Sequence, residues 1–269
     1  MLRWLLVFLL LAAGAALAAG AVLVLRDDGP GELLPDLDQA VPSEVAIVQA
    51  GDTYRLVFAS AVDNVGRGPF LIEGERSGPA EPSMAVRQLV RRTDGTARER
   101  KVDAEIRYVQ SETHEHWHLL DFERYELRRA ESGALVQPDE KTGFCLGDRY
   151  ETDESTRLEN EPGRPVWTEE CGRDRPDLLA VREGISPGYG DDYAPELEGQ
   201  YVDVTQAPAG RYVLVHRANP ERALEESDYG NNAASLLIQL RRTTGEVPTV
   251  RVLARCPDTE RCSGSAGGR

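Results

Sequence analysis

Short runs rich in Val, Ile, Leu, Tyr and Phe recur along most of this chain, separated by Gly, Pro, Asn and Asp. They cover residues 54–62, 69–72, 85–90, 104–109, 117–127, 212–215, 235–240 and 247–253. Few stretches keep a helical period for three turns. Strands at this spacing, with turn residues between them, predict an all-β fold, an antiparallel sandwich-like domain with long loops. Residues 147–198 break the pattern. They are polar and rich in Gly, Pro and acid, too long for an idle loop, and read as a functional excursion.

The N-terminus carries a different pattern. Residues 4–25 are apolar without a charge, and Arg26-Asp27-Asp28-Gly29-Pro30 ends the run abruptly. The run is long enough to cross a bilayer as a helix. Ala16-Leu17-Ala18 also has the small-x-small pattern of a signal-peptide cleavage site. Signal peptide and signal-anchor helix both place the rest of the chain outside the cytoplasm, with any membrane contact confined to this segment. The expected layout is a signal or anchor at 1–25, a linker at 26–35, one main domain at 36–255, and a C-terminal loop and flexible tail at 256–269.

Thr113-His114-Glu115-His116-Trp117-His118 places three of the four histidines at i, i+2 and i+4. On a strand this period puts all three imidazoles on one face, whereas on a helix they would fan out. The outer pair is about 13 Å apart at the backbone, so meeting at one ion requires curvature, twist or a bulge. A bulge is expected here. Leu120 and Phe122 share the parity of the histidines, but Tyr125 and Leu127 take the other. Neutral imidazole suits copper and zinc, and chemistry alone leaves both open, beside the plainer reading of a solvated strand face. His216, after Tyr212-Val213-Leu214-Val215, reads as a strand residue rather than a fourth ligand.

Charge narrows the picture. Among 269 residues, 31 Lys and Arg face 46 Asp and Glu, a net charge of −15, which argues against a nucleic-acid partner. Arg3 is the only charge in 1–25, so the exported part keeps every acid and stands at about −16. Four cysteines are too few for a disulfide-dense miniprotein.

Several segments, in order, resemble the catalytic domain of the lysyl oxidase family. His114-x-His116-Trp117-His118-x-x-Asp121-Phe122-x-x-Tyr125-x-Leu127 is similar to the family's copper-binding stretch, and Lys141-Thr142-Gly143-Phe144-Cys145-Leu146-Gly147-Asp148 to its lysine-containing segment. Ser186-Pro187-Gly188-Tyr189-Gly190-Asp191-Asp192-Tyr193, Gln200-Tyr201-Val202-Asp203, Pro208-Ala209-Gly210-Arg211-Tyr212 and Glu226-Ser227-Asp228-Tyr229-Gly230-Asn231-Asn232 follow. The likeness covers about residues 112–240 and weakens before Thr113, although Pro35-Asp36-Leu37 resembles the family's domain opening.

The resemblance implies a copper-dependent amine oxidase. His114, His116 and His118 would hold copper, and Tyr193 would be oxidised and joined by the Lys141 amine to give lysine tyrosylquinone. A phenol is the side chain oxidisable to an ortho-quinone, and a neutral amine is the nucleophile that captures it. Primary amines, whether peptidyl lysine, polyamine or monoamine, would condense with the quinone, lose an α-proton to a carboxylate and leave as aldehydes. O2 would regenerate the cofactor, with ammonia and hydrogen peroxide released. Asp191 is the candidate base, and a turn-forming Asp is its plainer reading.

Glu226, Asp228, Asn231 and Asn232 offer hard oxygen donors that suit calcium; alone, they would also pass for an Asn-rich turn. The resemblance adds Asp36 to this set as a structural calcium ligand. Cys256 and Cys262 would close a small C-terminal loop, and Cys145 has Cys171 as its nearest remaining partner. Two other readings stand beside the enzyme: a non-catalytic exported copper- or zinc-binding sandwich module, and a structural or adhesive domain.

Overall fold

A computed structural model of the chain describes residues 30–110, 115–139, 143–153 and 155–263. The described residues are strands and long loops, with one short 3-10 turn at Ser155–Arg157 and no α-helix, as the strand pattern predicts. None of their elements is a helix long and apolar enough to cross a membrane. The apolar run at 4–25 lies outside the described residues, as do His114 and Lys141.

Three antiparallel sheets surround the core. The first runs Ala180–Ile185, Phe70–Glu75, Ser83–Arg92, Ala97–Gln110 and Glu115–Leu119, with Glu32–Leu33 also paired to Ser83–Arg92. The second runs Leu135–Pro138, Glu123–Arg129, Gly210–Ala218, Ala233–Arg241 and Thr249–Cys256. The third is built on Thr53–Asn64, which pairs with Tyr189–Tyr193, Tyr201–Asp203, Leu37–Gln39 and Ser43–Ala50. Strict alternation along that strand buries Leu56, Phe58, Ser60, Val62 and Asn64. Each large apolar side chain buried this way contributes about 1.5–3 kcal/mol. The inward row also carries two polar groups, Ser60 and Asn64, into the interior.

The stretch 117–127 is not one bulged strand. Glu115–Leu119 ends in the first sheet and Glu123–Arg129 begins in the second, with Asp121 between them in the left-handed region at φ 56°. This sharp turn accounts for the parity change. By changing sheets, the chain delivers Leu119, Phe122, Tyr125 and Leu127 to the same core.

The excursion at 147–198 is also more regular than its composition suggests. It contains Tyr150–Glu151, Ala180–Ile185 and Tyr189–Tyr193, each paired in a sheet. Gly and Asp are poor strand formers, which hides Tyr-Gly-Asp-Asp-Tyr from propensity reasoning. The Asp148 carboxylate ties the excursion down by accepting from the amides of Val166 (2.7 Å), Trp167 (3.1 Å) and Ser186 (2.7 Å) and the Ser186 hydroxyl (2.9 Å). Disulfides join Cys145 to Cys171 and Cys256 to Cys262.

Candidate active site

Period two along Glu115–Leu119 sends His116 and His118 to one side and Trp117 to the other. The two Nε2 atoms face each other at 2.6 Å, with ring centroids 4.5 Å apart. Trp117 anchors the strand from behind. It is fully buried, its amide donates to the Cys171 carbonyl (2.9 Å), and its indole N–H donates to the Arg175 carbonyl (3.0 Å).

Two imidazole nitrogens at this spacing fit a shared cation. Donors about 2.0 Å from one tetrahedral ion stand roughly 3.3 Å apart, so the two rings need to open by well under 1 Å to share it. Among the described residues, no three His, Cys, Asp or Glu side chains are grouped to hold a metal ion, and the first histidine of the motif, His114, lies outside them. His216 sits in Gly210–Ala218 as a strand residue. It is fully buried between the rings of Phe58 (4.6 Å) and Tyr125 (4.2 Å), and burial holds its pKa well below the usual value.

Asp191 and Tyr193 share a parity on Tyr189–Tyr193, so both side chains point inward from a strand whose Tyr193 lies opposite Ser60. The Tyr193 hydroxyl is 2.7 Å from Asp191 Oδ2 and 3.0 Å from the Cys145 carbonyl oxygen. Arg149 Nε is 3.3 Å from Asp191 Oδ1. These groups line one pocket of about 260 Å³ together with His116 and His118. Four of the residues singled out in the sequence, from two distant segments, therefore meet.

Burial dominates the electrostatics. Asp191 is 1% exposed, and desolvation pushes its pKa up to about 8 against the opposing pull of the Tyr193 hydrogen bond and Arg149. Burial, followed by the adjacent Asp191 charge, raises Tyr193 well above a free phenol. A second buried carboxyl, Glu183, is raised well above its usual range by desolvation, while the Leu146 amide that donates to it pulls the other way.

Sequence reasoning missed Arg149 and Glu183. Glu183 was detectable in principle, because it shares the parity of Val181 and Ile185 in Ala180–Ile185, where an inward acid is out of place. Arg149 had no such signal.

The second cluster lies away from this pocket. Asn231 Nδ2 donates to Asp36 Oδ1 (2.8 Å), and both Asn219 Nδ2 (2.6 Å) and Asn232 Nδ2 (2.8 Å) donate to Glu226 Oε1. The Leu37 amide donates to Glu226 Oε2 (2.9 Å). Burial, opposed by these donors, pushes the Glu226 pKa up to about 7. The Oδ1 atoms of Asn231 and Asn232 are buried with no hydrogen-bond partner among the described residues. Two orphaned carbonyl oxygens beside two carboxylates are a donor set that fits a hard cation. Asp228 is exposed on the same loop and accepts from the Gly230 amide (2.7 Å).

Residues 80–249, more than half the chain, match the sequence model described as lysyl oxidase, and the chain belongs to the lysyl oxidase family. Among curated relatives it is similar to protein-lysine 6-oxidase of Rattus norvegicus and of Homo sapiens, in each case 32% identical over 120 residues. That stretch is 44% of this chain and 25% of each relative. Lysyl oxidase homolog 2 of Bos taurus is 27% identical over 157 residues, covering 56% of this chain and 18% of that protein. The match thus spans about a quarter or less of the length of these relatives.

Proposed function

We propose that this protein is an exported, copper-dependent amine oxidase that converts primary amines to aldehydes, with O2 as acceptor and ammonia and hydrogen peroxide as co-products. The observation that carries this reading is the meeting of His116 and His118 with the Asp191–Tyr193 pair in one pocket. Family membership supports it, as do relatives named for oxidation of protein lysine. His114, His116 and His118 would hold the copper. Copper and the quinone derived from Tyr193 and Lys141 would supply the electron transfers to O2 and the carbonyl that captures the amine.

The chain's own residues have defined tasks. Asp191 accepts the substrate's α-proton, and its high pKa makes the carboxylate a stronger base than an ordinary Asp. Arg149 holds Asp191 in place and keeps part of its population ionised at neutral pH. The Cys145 carbonyl orients the Tyr193 oxygen. Leu197 and the Glu170–Arg173 ion pair, 2.8 Å apart, line the same pocket at its solvent-facing side. The net negative charge draws in protonated amines, an attraction that salt weakens.

Calcium at Asp36, Glu226, Asp228, Asn231 and Asn232 would pin the domain opening to the loop before Ala233–Arg241. Both disulfides suit an oxidising compartment outside the cytoplasm, with residues 1–25 as signal or anchor. Incubating the copper-loaded, aerated protein with alkyl monoamines, polyamines and lysine peptides tests the reading. Amine-dependent hydrogen peroxide that disappears in Tyr193→Phe is expected. Copper binding without peroxide from any amine class would instead leave a metal-binding module.

A further inference from the structure

Glu183 is 1% exposed on Ala180–Ile185, and its Oε1 has no hydrogen-bond partner among the described residues. Burying a half-satisfied carboxyl costs stability that an apolar side chain would not, so a purely structural role explains it poorly. Its other oxygen, Oε2, accepts from the Leu146 amide at 3.0 Å. That N–H belongs to the same peptide group as the Cys145 carbonyl, whose oxygen is 3.0 Å from the Tyr193 hydroxyl. Glu183 and Tyr193 therefore grip opposite ends of one planar unit.

We propose that Glu183 is a positioning residue for the Tyr193 phenol, acting through the Cys145–Leu146 peptide. The inference rests on the reading of Tyr193 as the reactive phenol.

A hydrogen bond to the N–H of a peptide polarises its C=O and strengthens it as an acceptor. Among the described residues, the one Tyr193 proton is within reach of Asp191 Oδ2 and the Cys145 oxygen. The shorter contact is to Asp191, 2.7 Å against 3.0 Å, and Glu183 shifts the balance between the two toward the carbonyl. This fixes the ring in the pocket and leaves Asp191 Oδ2 open to a proton from elsewhere. Arg149 Nη2, 3.4 Å from the same carbonyl oxygen, braces it from a second side. Without the acceptor behind Leu146, the carbonyl loses its share of the phenol proton and the bond to Asp191 holds the base occupied.

The test uses the full chain with 13C at cysteine carbonyls, first without metal. Tyr193→Phe identifies the shift that the phenol imposes on the Cys145 carbonyl. Glu183→Leu should move that signal in the same direction by a comparable amount, whereas Glu183→Gln, which keeps an acceptor oxygen, should restore most of it. After copper loading in air, quinone absorbance should grow several-fold more slowly in Glu183→Leu than in Glu183→Gln.

If Glu183→Leu lowers the melting temperature but leaves the Cys145 carbonyl signal in place, the proposal is overturned. If that variant does not fold, the Gln variant decides. A Cys145 signal displaced as far in Gln as in Tyr193→Phe overturns the proposal, and a retained signal with near-normal quinone growth upholds it. A wild-type protein that forms no quinone overturns the reading of Tyr193, while the metal-free carbonyl shifts still decide whether Glu183 positions the phenol.

Discussion

The carbonyl oxygen of Cys145 lies 3.0 Å from the hydroxyl of Tyr193, 48 residues further along the chain. Cys145 is bridged to Cys171, whose carbonyl accepts from the amide of Trp117, between His116 and His118. One disulfide therefore ties the phenol's hydrogen-bond acceptor to the backbone of the histidine strand. Neither link depends on residues close in sequence.

Removing that bridge should affect the site as well as the stability. With 26 positions between the cysteines, Cys145→Ala with Cys171→Ala should cost about 2–4 kcal/mol in urea denaturation. Copper affinity should fall with it, because the Trp117 anchor loosens. Loss of stability with unchanged copper affinity would show that the histidine strand holds itself.

Asp191 makes stability depend on pH in a specific window. Unfolded, it titrates near 4, and folded near 8, so between those values the native state binds the extra proton. The stabilisation is therefore complete below the lower value and lost as pH rises through the upper one. Asp191→Asn should flatten the decline across this window by up to about 1.4 kcal/mol per pH unit. Parallel curves for the two proteins would mean that Asp191 titrates as an ordinary carboxyl.

Arg149 opposes that burial effect from 3.3 Å. Arg149→Leu should raise the Asp191 pKa by roughly 1 unit and move the acid limb of the pH–rate profile to higher pH by the same amount. A limb that stays where it is in this variant belongs to another group.

Calcium should raise the unfolding temperature through the Asp36–Glu226–Asn231–Asn232 cluster. Binding to the folded state alone contributes about 2.7 kcal/mol when free calcium exceeds its Kd a hundredfold. Asp36→Ala with Asn231→Ala should abolish the calcium-dependent part. A melting temperature indifferent to calcium in the wild type would reduce the cluster to a polar turn.

The sequence was most legible where a simple period operates. The apolar run over 54–62 predicts the strand Thr53–Asn64, and the i, i+2 spacing puts His116 and His118 on one face. It was least legible where the backbone or tertiary packing decides. The left-handed Asp121 that separates two sheets reads locally as a bulge, and Tyr189–Tyr193 reads as loop because its residues are poor strand formers. Arg149 acts on a group from another strand, so no local pattern announces it, and Glu183 shows only as an acid at an inward parity, with nothing local to say what it acts on.

Under the proposed function, Tyr193 and Lys141 would become one cofactor beside a histidine-bound copper, a joining that can be observed directly. Its most direct measurement is peptide mass analysis of the copper-loaded, aerated protein after digestion. A species joining the peptides of Lys141 and Tyr193 is predicted, present in the wild type and missing from His116→Ala. Recovery of the two peptides separate and unmodified from the fully copper-loaded wild type would contradict it.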